Sequence, residues 1–334
     1  MGKDGNVGFA LYRLANETNC TFISGEISLI AELNDCSGFI FTDFNRSNSF
    51  LIAPQINIEG LWEDIKSQVS LHHFQPSNSS EEVNTDRDDY DFGFRIVKNE
   101  IDYKKIDKAV LSRKMVFNTT SNPVELFQKL IANYPTSHIY LVKTPEGDIW
   151  VGASPETLIT SENQEATTMS LAGTKTDVDS AWTEKEYAEQ KIVTTTITKG
   201  LEDLGITPVI SDLETVEAGA VYHLRNIISF STDTHSVGAI AETLHPTPAI
   251  SGSPKEAAFS TIKIAEPHNR EYYCGFGGPI NIVAKSTLFV NLRCAKISTN
   301  QTTLFVGGGI TKNSIQEDEW KECERKAQSL LRFL

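Results

Sequence analysis

Residues 287–306 read TLFVNLRCAKISTNQTTLFV, and this stretch decides the fold class. Its two apolar runs, Thr287–Lys296 and Thr302–Val306, flank the polar sequence STNQ, which predicts a β-hairpin. His138–Lys143 and Ile149–Ala153 predict a second hairpin around TPEGD. Strands therefore follow one another directly and do not alternate with helices along the chain. This order favours an α+β fold with antiparallel sheets over a doubly wound parallel sheet.

Three helices are predicted beside these strands. Tyr90–Lys104 carries apolar residues at helical spacing, and Thr183–Leu204 opens with a Thr-x-x-Glu capping box. The last helix is predicted from Ile315, with Ser314 as its N-cap and Glu317 three residues further on.

The composition narrows the possible partners. The chain has 334 residues, of which 40% are hydrophobic and 22% are charged, as in ordinary globular proteins. Its formal net charge of -14 disfavours nucleic acid and acidic membranes, so an anionic substrate needs a local basic pocket or a bound cation. Five scattered cysteines without a C-x-x-C pair predict neither a zinc site nor disulfides, and favour a reducing cytoplasm.

The clearest break in composition is the polar, acidic segment Gln75–Asp89. It contains almost no large apolar residue and is rich in Ser, Asn and Asp, which is typical of exposed connections. We expect an exposed loop there, between an N-terminal portion and the rest of the chain.

Carboxylates lie beside apolar residues on two of the predicted helices. Glu189 shares its helix face with apolar residues, and a carboxylate that turns inward needs a partner. Glu319, Glu322 and Lys326 fall on one side of the last helix. Each pattern has two explanations: a salt bridge at the helix edge or an i,i+4 ion pair, or a site for a metal or a substrate.

Four further residues are candidates for chemistry. Lys108 begins the strand KAVLSR, where a poorly hydrated lysine can serve as a general base, although lysines also protect edge strands. Glu156 follows a strand end and is either a general acid or a loop glutamate. Arg293 lies in an apolar strand, where arginine needs an anionic partner. His223 is either a core histidine or a substrate contact.

Two loops could shape a binding site. The glycines of Val306–Ile310, VGGGI, would let backbone N–H groups approach an anion, but three glycines also make tight turns. Leu244–Lys255, LHPTPAISGSPK, contains three prolines and predicts a rigid loop, which suits a substrate wall as well as a structural turn.

In their order along the chain, these motifs resemble the chorismate-utilising enzymes related to anthranilate synthase component I, and most of all the isochorismate synthases. The resemblance runs from about Tyr90 to the last residue, through KAVLSR, GASPETLI, SLAGT, KEYAEQ, VYHLRN, LHPTPAISG, EPHNREYYCGFGG, LRCAK, LFVGGGI and EWKECERK. It implies a single α+β domain over residues 1–334, with two antiparallel sheets packed as a sandwich and helices outside. Residues 1–89 would be a variable N-terminal portion, and residues 90–334 the catalytic core.

The resemblance also implies roles for individual residues. Glu189 and Glu322 would bind Mg2+, with Glu319 beside a metal-bound water. Lys108 would take a proton from a water molecule at C2 of chorismate, and Glu156 would protonate the departing C4 hydroxyl. The substrate-binding positions that it implies are Gly173, His223, Ala249, Ile250, Arg293, Gly307, Gly308 and Lys326.

Three positions favour an isochorismate synthase within this family. Members that use ammonia typically carry Gln in place of Lys108, because ammonia needs no general base whereas water does. Ala172 excludes the lysine of aminodeoxychorismate synthases, and Ala249 stands where salicylate synthases tend to have Thr. The alternatives are a salicylate synthase, an anthranilate-synthase-like lyase with a glutaminase partner, and an inactive chorismate-binding protein.

The remaining expectations are a cytoplasmic monomer or weak dimer that needs no glutaminase subunit. Its product would serve menaquinone or siderophore synthesis, and menaquinone is favoured because that demand is the more general. The sequence departs from the family pattern at Gln190, where many relatives have His, and at Asn269 and Phe276.

Overall fold

The structure is a computed structural model and describes residues 7–70, 72, 74–78, 81–218 and 221–334, the side chain of residue 218 excepted. Its strands are β1 (Val7–Arg13), β2 (Asn19–Leu29), β3 (Gly38–Thr42), β4 (Ser49–Leu61), β5 (Lys108–Phe117), β6 (His138–Lys143), β7 (Ile149–Ser154), β8 (Thr157–Glu162), β9 (Glu165–Lys175), β10 (Val209–Ile210), β11 (Glu214–Ala218), β12 (Val221–Ser231), β13 (Gly252–Ser253), β14 (Phe276–Ile280), β15 (Lys285–Val290), β16 (Cys294–Ile297) and β17 (Thr302–Thr311). Its helices are α1 (Trp62–Val69), α2 (Arg87–Asp102), α3 (Pro123–Asn133), α4 (Glu184–Asp203), α5 (Val237–Leu244), α6 (Lys255–Ala265) and α7 (Gln316–Leu331).

The strands form one continuous antiparallel network. In hydrogen-bonded order they run β13-β5-β17-β16-β7-β6-β1-β2-β4-β3-β14-β15-β8-β9-β12, and both β10 and β11 pair with β12. The predicted α+β class with antiparallel pairing is confirmed. The predicted division into two separate sheets is not seen, because the long strands β2 and β4 join both halves of the network.

The sheet folds over on itself at these long strands. The register of β2 against β4 shifts between Ser24 and Gly25, and a Cβ at Gly25 would lie 1.8 Å from the carbonyl oxygen of Ala53. Such a bulge bends a strand and increases its twist. Tyr140 of β6 then stacks on Phe289 of β15, with ring centroids 5.2 Å apart. The two halves of the sheet therefore face each other across a shared apolar core.

Strand β6 is buried on both faces. Tyr140 and Val142 belong to the core between the two halves, whereas Ile139 and Leu141 belong to a second apolar cluster. Helix α3 packs on β6 and β7, α1 on β2 and β4, α4 on β9 and β12, and α7 on β17. Alternate residues of β6 thus pack into two different apolar cores. The helices lie outside the sheet, as predicted.

The structure tests the predicted N-caps of two helices, α4 and α7. The capping box of α4 is present, because the Thr183 hydroxyl accepts from the helix backbone and Glu186 accepts from the backbone N–H of Thr183. The predicted cap of α7 is wrong. Its N-cap is Ile315, and the Ser314 hydroxyl instead accepts a hydrogen bond from the backbone N–H of Thr311 (3.0 Å).

The predicted exposed loop Gln75–Asp89 is shorter and more tightly packed than expected; residues 79 and 80 lie outside the described residues. Helix α2 already begins at Arg87. Within the loop, Glu82 accepts hydrogen bonds from two buried lysines, Lys114 on β5 and Lys296 on β16. These ion pairs fasten the segment to the sheet.

The predicted strand Thr287–Lys296 is also interrupted. Strand β15 ends at Val290 and β16 begins at Cys294. Between them, Asn291 donates a side-chain hydrogen bond to the carbonyl oxygen of Tyr272 (2.7 Å), and Arg293 adopts a φ of 48°. Arg293 is therefore not a strand residue but lies in an irregular segment, and it lines the cleft described next.

Candidate active site

One cleft contains most of the residues that the sequence singled out. It encloses about 930 Å3, counting its mouth to solvent, and lies among β5, β9, β12, β17, α4 and α7. Of the predicted site residues, it is lined by Lys108, Glu156, Gly173, Glu189, His223, Ala249, Ile250, Arg293, Gly307, Glu322 and Lys326. Glu319 and Gly308 are not part of this lining, but Glu319 lies 3.3 Å from Lys185, which lines the cleft, and would contact a Cβ at Gly308. The fold thus brings these distant stretches of the chain to one place.

The glycines of β17 let carboxylates approach the strand backbone. A Cβ at Gly308 would lie 3.2 Å from Oε2 of Glu319 and 3.7 Å from Oε1 of Glu322. A Cβ at Gly309 would lie 2.8 Å from Oε1 of Glu189. A side chain at Gly308 or Gly309 would therefore crowd an oxygen of Glu319 or Glu189, whereas Glu322 would stay at ordinary contact distance.

Two of these carboxylates form close ion pairs with lysines that line the cleft. Lys108 Nζ lies 2.7 Å from Oε1 of Glu189, and the Lys108 side chain is 1% exposed. Lys326 Nζ lies 2.8 Å from Oε1 of Glu322, one turn away on α7, and donates a hydrogen bond to the Gly307 carbonyl oxygen (3.0 Å). The ion pair expected on α7 from its spacing is present, and it lies inside the cleft.

A third lysine, which the sequence interpretation missed, completes the set. Lys185 Nζ lies 3.3 Å from Oε1 of the buried Glu319. Burial opposes the charge of Lys185, but Glu319, followed by Glu189 and Glu322, raises its pKa. Lys185 stands four residues before Glu189 on α4, so i,i+4 spacing could have placed both side chains on one face.

The two carboxylates of α7 have opposite pKa shifts. Burial and the nearby Glu322 raise the pKa of Glu319. Burial also acts on Glu322, but the pairing with Lys326 outweighs it and lowers the Glu322 pKa. Glu322 is therefore the more firmly ionised of the two, which suits a ligand for a cation.

Glu156 lies in the short turn between β7 and β8, facing the cleft. The residue is only 4% exposed. Burial raises its pKa to about 7, although Lys108 and the hydroxyl of Thr247 act in the opposite direction. A carboxyl group with such a pKa carries a proton in a large share of molecules at neutral pH, as a general acid requires.

His223 and Arg293 contact each other in the lining of the same cleft. His223 Nδ1 lies 2.7 Å from the Gly173 carbonyl oxygen and must donate to it, so Nε2 faces Arg293 Nη2 at 3.4 Å as an acceptor. Burial, together with Arg293, lowers the pKa of His223 to about 3, which keeps the imidazole neutral. Burial lowers the pKa of Arg293 to about 10, so its guanidinium stays charged near pH 7.

A buried ion pair holds two cleft walls together. Arg270 donates to the carbonyl oxygens of Ile250 (2.8 Å) and Val110 (2.7 Å), and its guanidinium lies 2.6 Å from Oε1 of Glu266. Removing one partner of such a pair typically costs about 3–5 kcal/mol. The pair therefore fixes β5 against the proline-containing loop that carries Ile250.

Tyr273 and Cys274 also line the cleft and were not predicted. A Cβ at Gly307 would lie 3.0 Å from the Tyr273 hydroxyl oxygen, so the tyrosine packs against the glycine strand. Tyrosine and cysteine are common in protein cores, and their type alone gives no functional signal.

The donor chemistry of the cleft fits Mg2+. Magnesium prefers oxygen ligands and keeps several waters, so the carboxylates of Glu189 and Glu322 with water would be enough. Over the ranges that the structure describes, no group of three His, Cys, Asp or Glu side chains is arranged to hold a metal ion. Each of the three carboxylates is instead paired with a lysine ammonium, which shows that the site already accommodates positive charge.

Comparison with known proteins gives consistent matches. The family described as "Chorismate binding enzyme" matches residues 45–334. Isochorismate synthase EntC of Escherichia coli K12 is 30% identical over an alignment of 243 residues, and the match covers 68% of this chain and 62% of EntC. The match therefore spans less than two thirds of that relative.

Among the helices of the described residues, none combines the length and the hydropathy that a membrane-spanning helix needs.

Solved structures share the fold. The structure of MenF, the menaquinone-specific isochorismate synthase from Escherichia coli, has a TM-score of 0.82 at 22% identity, covering 98% of this chain and 88% of MenF. Anthranilate synthase component I from Streptococcus pneumoniae TIGR4 has a TM-score of 0.73 at 15% identity, covering 99% of this chain and 93% of that chain. With the family match over residues 45–334, these findings show that the chain belongs to the chorismate-binding enzyme family.

Proposed function

We propose that the protein is an isochorismate synthase, which interconverts chorismate and isochorismate with Mg2+. The observation that most supports this proposal is that Lys108 and Glu156, both buried, line one cleft together with paired carboxylates and cations. The 30% identity to the isochorismate synthase EntC favours the same activity.

The cleft offers a separate group of contacts to each carboxylate of a dicarboxylate. Arg293 and Lys326, with the backbone of Gly307 and Gly308, bind the enolpyruvyl carboxylate. The backbone at Gly173, where φ is 67°, approaches the ring carboxylate. These local positive charges explain how a protein with a net charge of -14 binds a dianion.

Glu189 and Glu322 would hold the Mg2+, with Glu319 beside a metal-bound water. When bound, the ion supplies positive charge for the ring carboxylate. Glu189 would then be shared between the ion and Lys108, whose Nζ lies 2.7 Å from its Oε1. Lys108 would act as the base in its neutral amine form.

The reaction needs one base and one acid. Lys108 accepts a proton from the water that forms the new C2–O bond, the double bonds shift, and the C4–O bond breaks. Glu156 gives its proton to the departing C4 hydroxyl, which leaves as water. His223, neutral and held by Gly173, orients the ring. The proton gained by Lys108 and the proton lost by Glu156 balance.

We also propose that the enzyme works in the cytoplasm without a glutaminase subunit, as a monomer or weak dimer, and that its product feeds menaquinone synthesis. The five cysteines are odd in number, widely scattered and free, so they suggest no disulfide framework and favour a reducing compartment. The structural similarity to the menaquinone-specific MenF is one of fold and leaves the siderophore pathway as the alternative outcome.

Product analysis tests the proposed function. Purified protein with Mg2+ and chorismate is expected to form isochorismate without ammonium and without release of pyruvate, as detected by chromatography and a pyruvate assay. A nitrogen-containing product that requires ammonium would instead identify an anthranilate-synthase-like lyase. Salicylate with pyruvate would identify a salicylate synthase, and chorismate binding without turnover would identify an inactive binding protein.

Replacing Glu322 by Ala is expected to weaken Mg2+ binding at least about tenfold, because a firmly ionised oxygen ligand is lost. Isothermal titration with Mg2+ measures this change directly, and the rate should fall in parallel. Glu324→Ala is the matched control, since Glu324 lies on the same helix, is exposed and bonds to Trp320. An unchanged titration in Glu322→Ala would refute the metal assignment.

A further inference from the structure

Thr247 lies in the loop between α5 and α6 and is 2% exposed. Its carbonyl oxygen accepts hydrogen bonds from the backbone N–H groups of Ile250 (3.1 Å) and Ser251 (3.0 Å) and from the Ser251 hydroxyl (2.8 Å). Ala249 and Ile250, two and three residues further along this loop, line the cleft. The backbone of Thr247 is therefore fixed by the same turn that forms a cleft wall.

The loop is also held from outside. The His245 side chain bonds to the Phe44 carbonyl oxygen (3.0 Å), and Lys255 donates to the His245 carbonyl oxygen (2.6 Å). At the other end, Arg270 donates to the carbonyl oxygen of Ile250 (2.8 Å). The loop cannot move to give the Thr247 hydroxyl a different partner without breaking these bonds.

The hydroxyl of Thr247 is buried and has no hydrogen-bond partner within the described part of the chain. It does approach the carboxyl group of Glu156 closely enough to favour the charged form of that group. A buried hydroxyl without a complete hydrogen bond destabilises a protein, so its presence at this position calls for an explanation.

We propose that Thr247 is a positioning residue for Glu156. Its hydroxyl donates to one carboxyl oxygen and leaves the acidic proton on the other oxygen, which faces the substrate. A hydroxyl has one donor and two acceptor sites, so it can serve the carboxyl group before and after proton transfer. This inference rests on the proposed function, in which Glu156 is the general acid.

The other groups around Glu156 cannot take this role. Lys108 on β5 and Lys326 on α7 act on Glu156 through their charge, and each is paired with a metal-site carboxylate. The Cys274 thiol, which also interacts with Glu156, has its pKa raised to about 12 by burial and is a weak donor. Thr247 is the neutral hydroxyl donor that can orient the carboxyl group without taking its proton.

Thr247→Val, which keeps the shape and removes the hydroxyl, tests this inference against Thr247→Ser, which retains it. We expect Thr247→Val to lower kcat about tenfold with KM within about twofold, the effect of one hydrogen bond to a charged group. The alkaline limb of the pH profile should move to higher pH, because the carboxylate of Glu156 has lost a donor. Thr247→Ser should restore both values.

A second measurement needs no turnover. In protein labelled with 13C at the glutamate carboxyl, with the Glu156 signal assigned by Glu156→Gln, the Glu156 pKa should be higher in Thr247→Val than in wild type or Thr247→Ser. If wild type does not convert chorismate, the proposed function fails and this titration still decides the inference. Thr247→Ala replaces the valine variant if circular dichroism shows that the latter is unfolded.

Two results would overturn the inference. An unchanged Glu156 pKa in the variant without a hydroxyl would show that the two groups do not interact. Equal losses of kcat in Thr247→Val and Thr247→Ser, with equally lowered melting temperatures, would show that Thr247 only packs the loop.

Discussion

Replacing Glu156 by Gln is expected to leave the fold intact and lower kcat at least about a hundredfold, within the range that general acid catalysis supplies. Gln has nearly the same shape as a protonated Glu, so the buried turn between β7 and β8 should accept it. Its amide cannot give a proton to the departing C4 hydroxyl. Steady-state turnover of chorismate with saturating Mg2+ measures the loss.

The pH dependence gives this prediction a second readout. Glu156 must be protonated to act as an acid, and burial raises its pKa to about 7. The kcat/KM of wild type should therefore fall as the pH rises through about 7, and this limb should be missing from the residual activity of Glu156→Gln. Its absence from wild type would assign the acid to another group.

The contribution of Glu156 to stability should also fall as the pH rises. Between the ordinary pKa of glutamate and about 7, the folded protein retains a proton on Glu156 that the unfolded chain releases. Wild-type stability from this group is therefore lost as the pH rises through that window, and Glu156→Gln should not show the loss. Above pH 7 the variant should melt no lower than wild type.

Glu162→Gln is the matched control for this substitution, because it makes the same chemical change in the exposed ion pair of Glu162 with Lys285. We expect its turnover to equal that of wild type. Turnover of Glu156→Gln within a few-fold of wild type would contradict the assignment of Glu156 as the acid.

The parts of the site that sequence could predict depend on local spacing. The i,i+4 relation between Glu322 and Lys326 holds on α7, and Glu189 turns inward on α4 as its apolar neighbours indicated. The Thr183 capping box forms as expected. In each case the interaction lies within one or two helical turns, where the helix geometry alone fixes which side chains are neighbours.

The parts that escaped prediction depend on contacts between distant segments. The interruption before Arg293 exists because Asn291 bonds to Tyr272, and no local pattern distinguishes that Asn from a strand residue. The continuous sheet depends on the register shift in β2, which places Gly25 against Ala53. Register between strands is set by side-chain pairing over the whole sheet, so single-sequence periodicity does not reveal it.

The ion pair of Lys108 with Glu189 could be predicted from the sequence only in part. The position of Lys108 at the start of β5 could be predicted from the sequence. Its 2.7 Å contact with Glu189, however, joins two residues that are 81 positions apart in the chain. The alternative explanation, a lysine that protects an edge strand, does not hold. Strand β5 is paired with β17 along its whole length and with β13 at its start, and Lys108 is buried.

Replacing Lys108 by Ala is expected to lower kcat by at least about two orders of magnitude, because water at C2 loses its general base. The loss of the ion pair also leaves Glu189 with an unbalanced charge at the cleft wall, which alone could disturb the site. An alanine variant therefore cannot separate the proton-transfer role from charge balance.

Lys108→Arg makes that separation. Arginine keeps the positive charge beside Glu189, but its guanidinium does not lose a proton in the physiological range and cannot serve as the base. If Lys108 acts by proton transfer, the arginine variant should be nearly as inactive as the alanine variant, with a melting temperature close to that of wild type. If the lysine only balances the charge of Glu189, Lys108→Arg should restore most of the activity that Lys108→Ala loses. Recovery of wild-type turnover in the arginine variant would therefore reject the general-base role, because a permanently protonated side chain would then be sufficient.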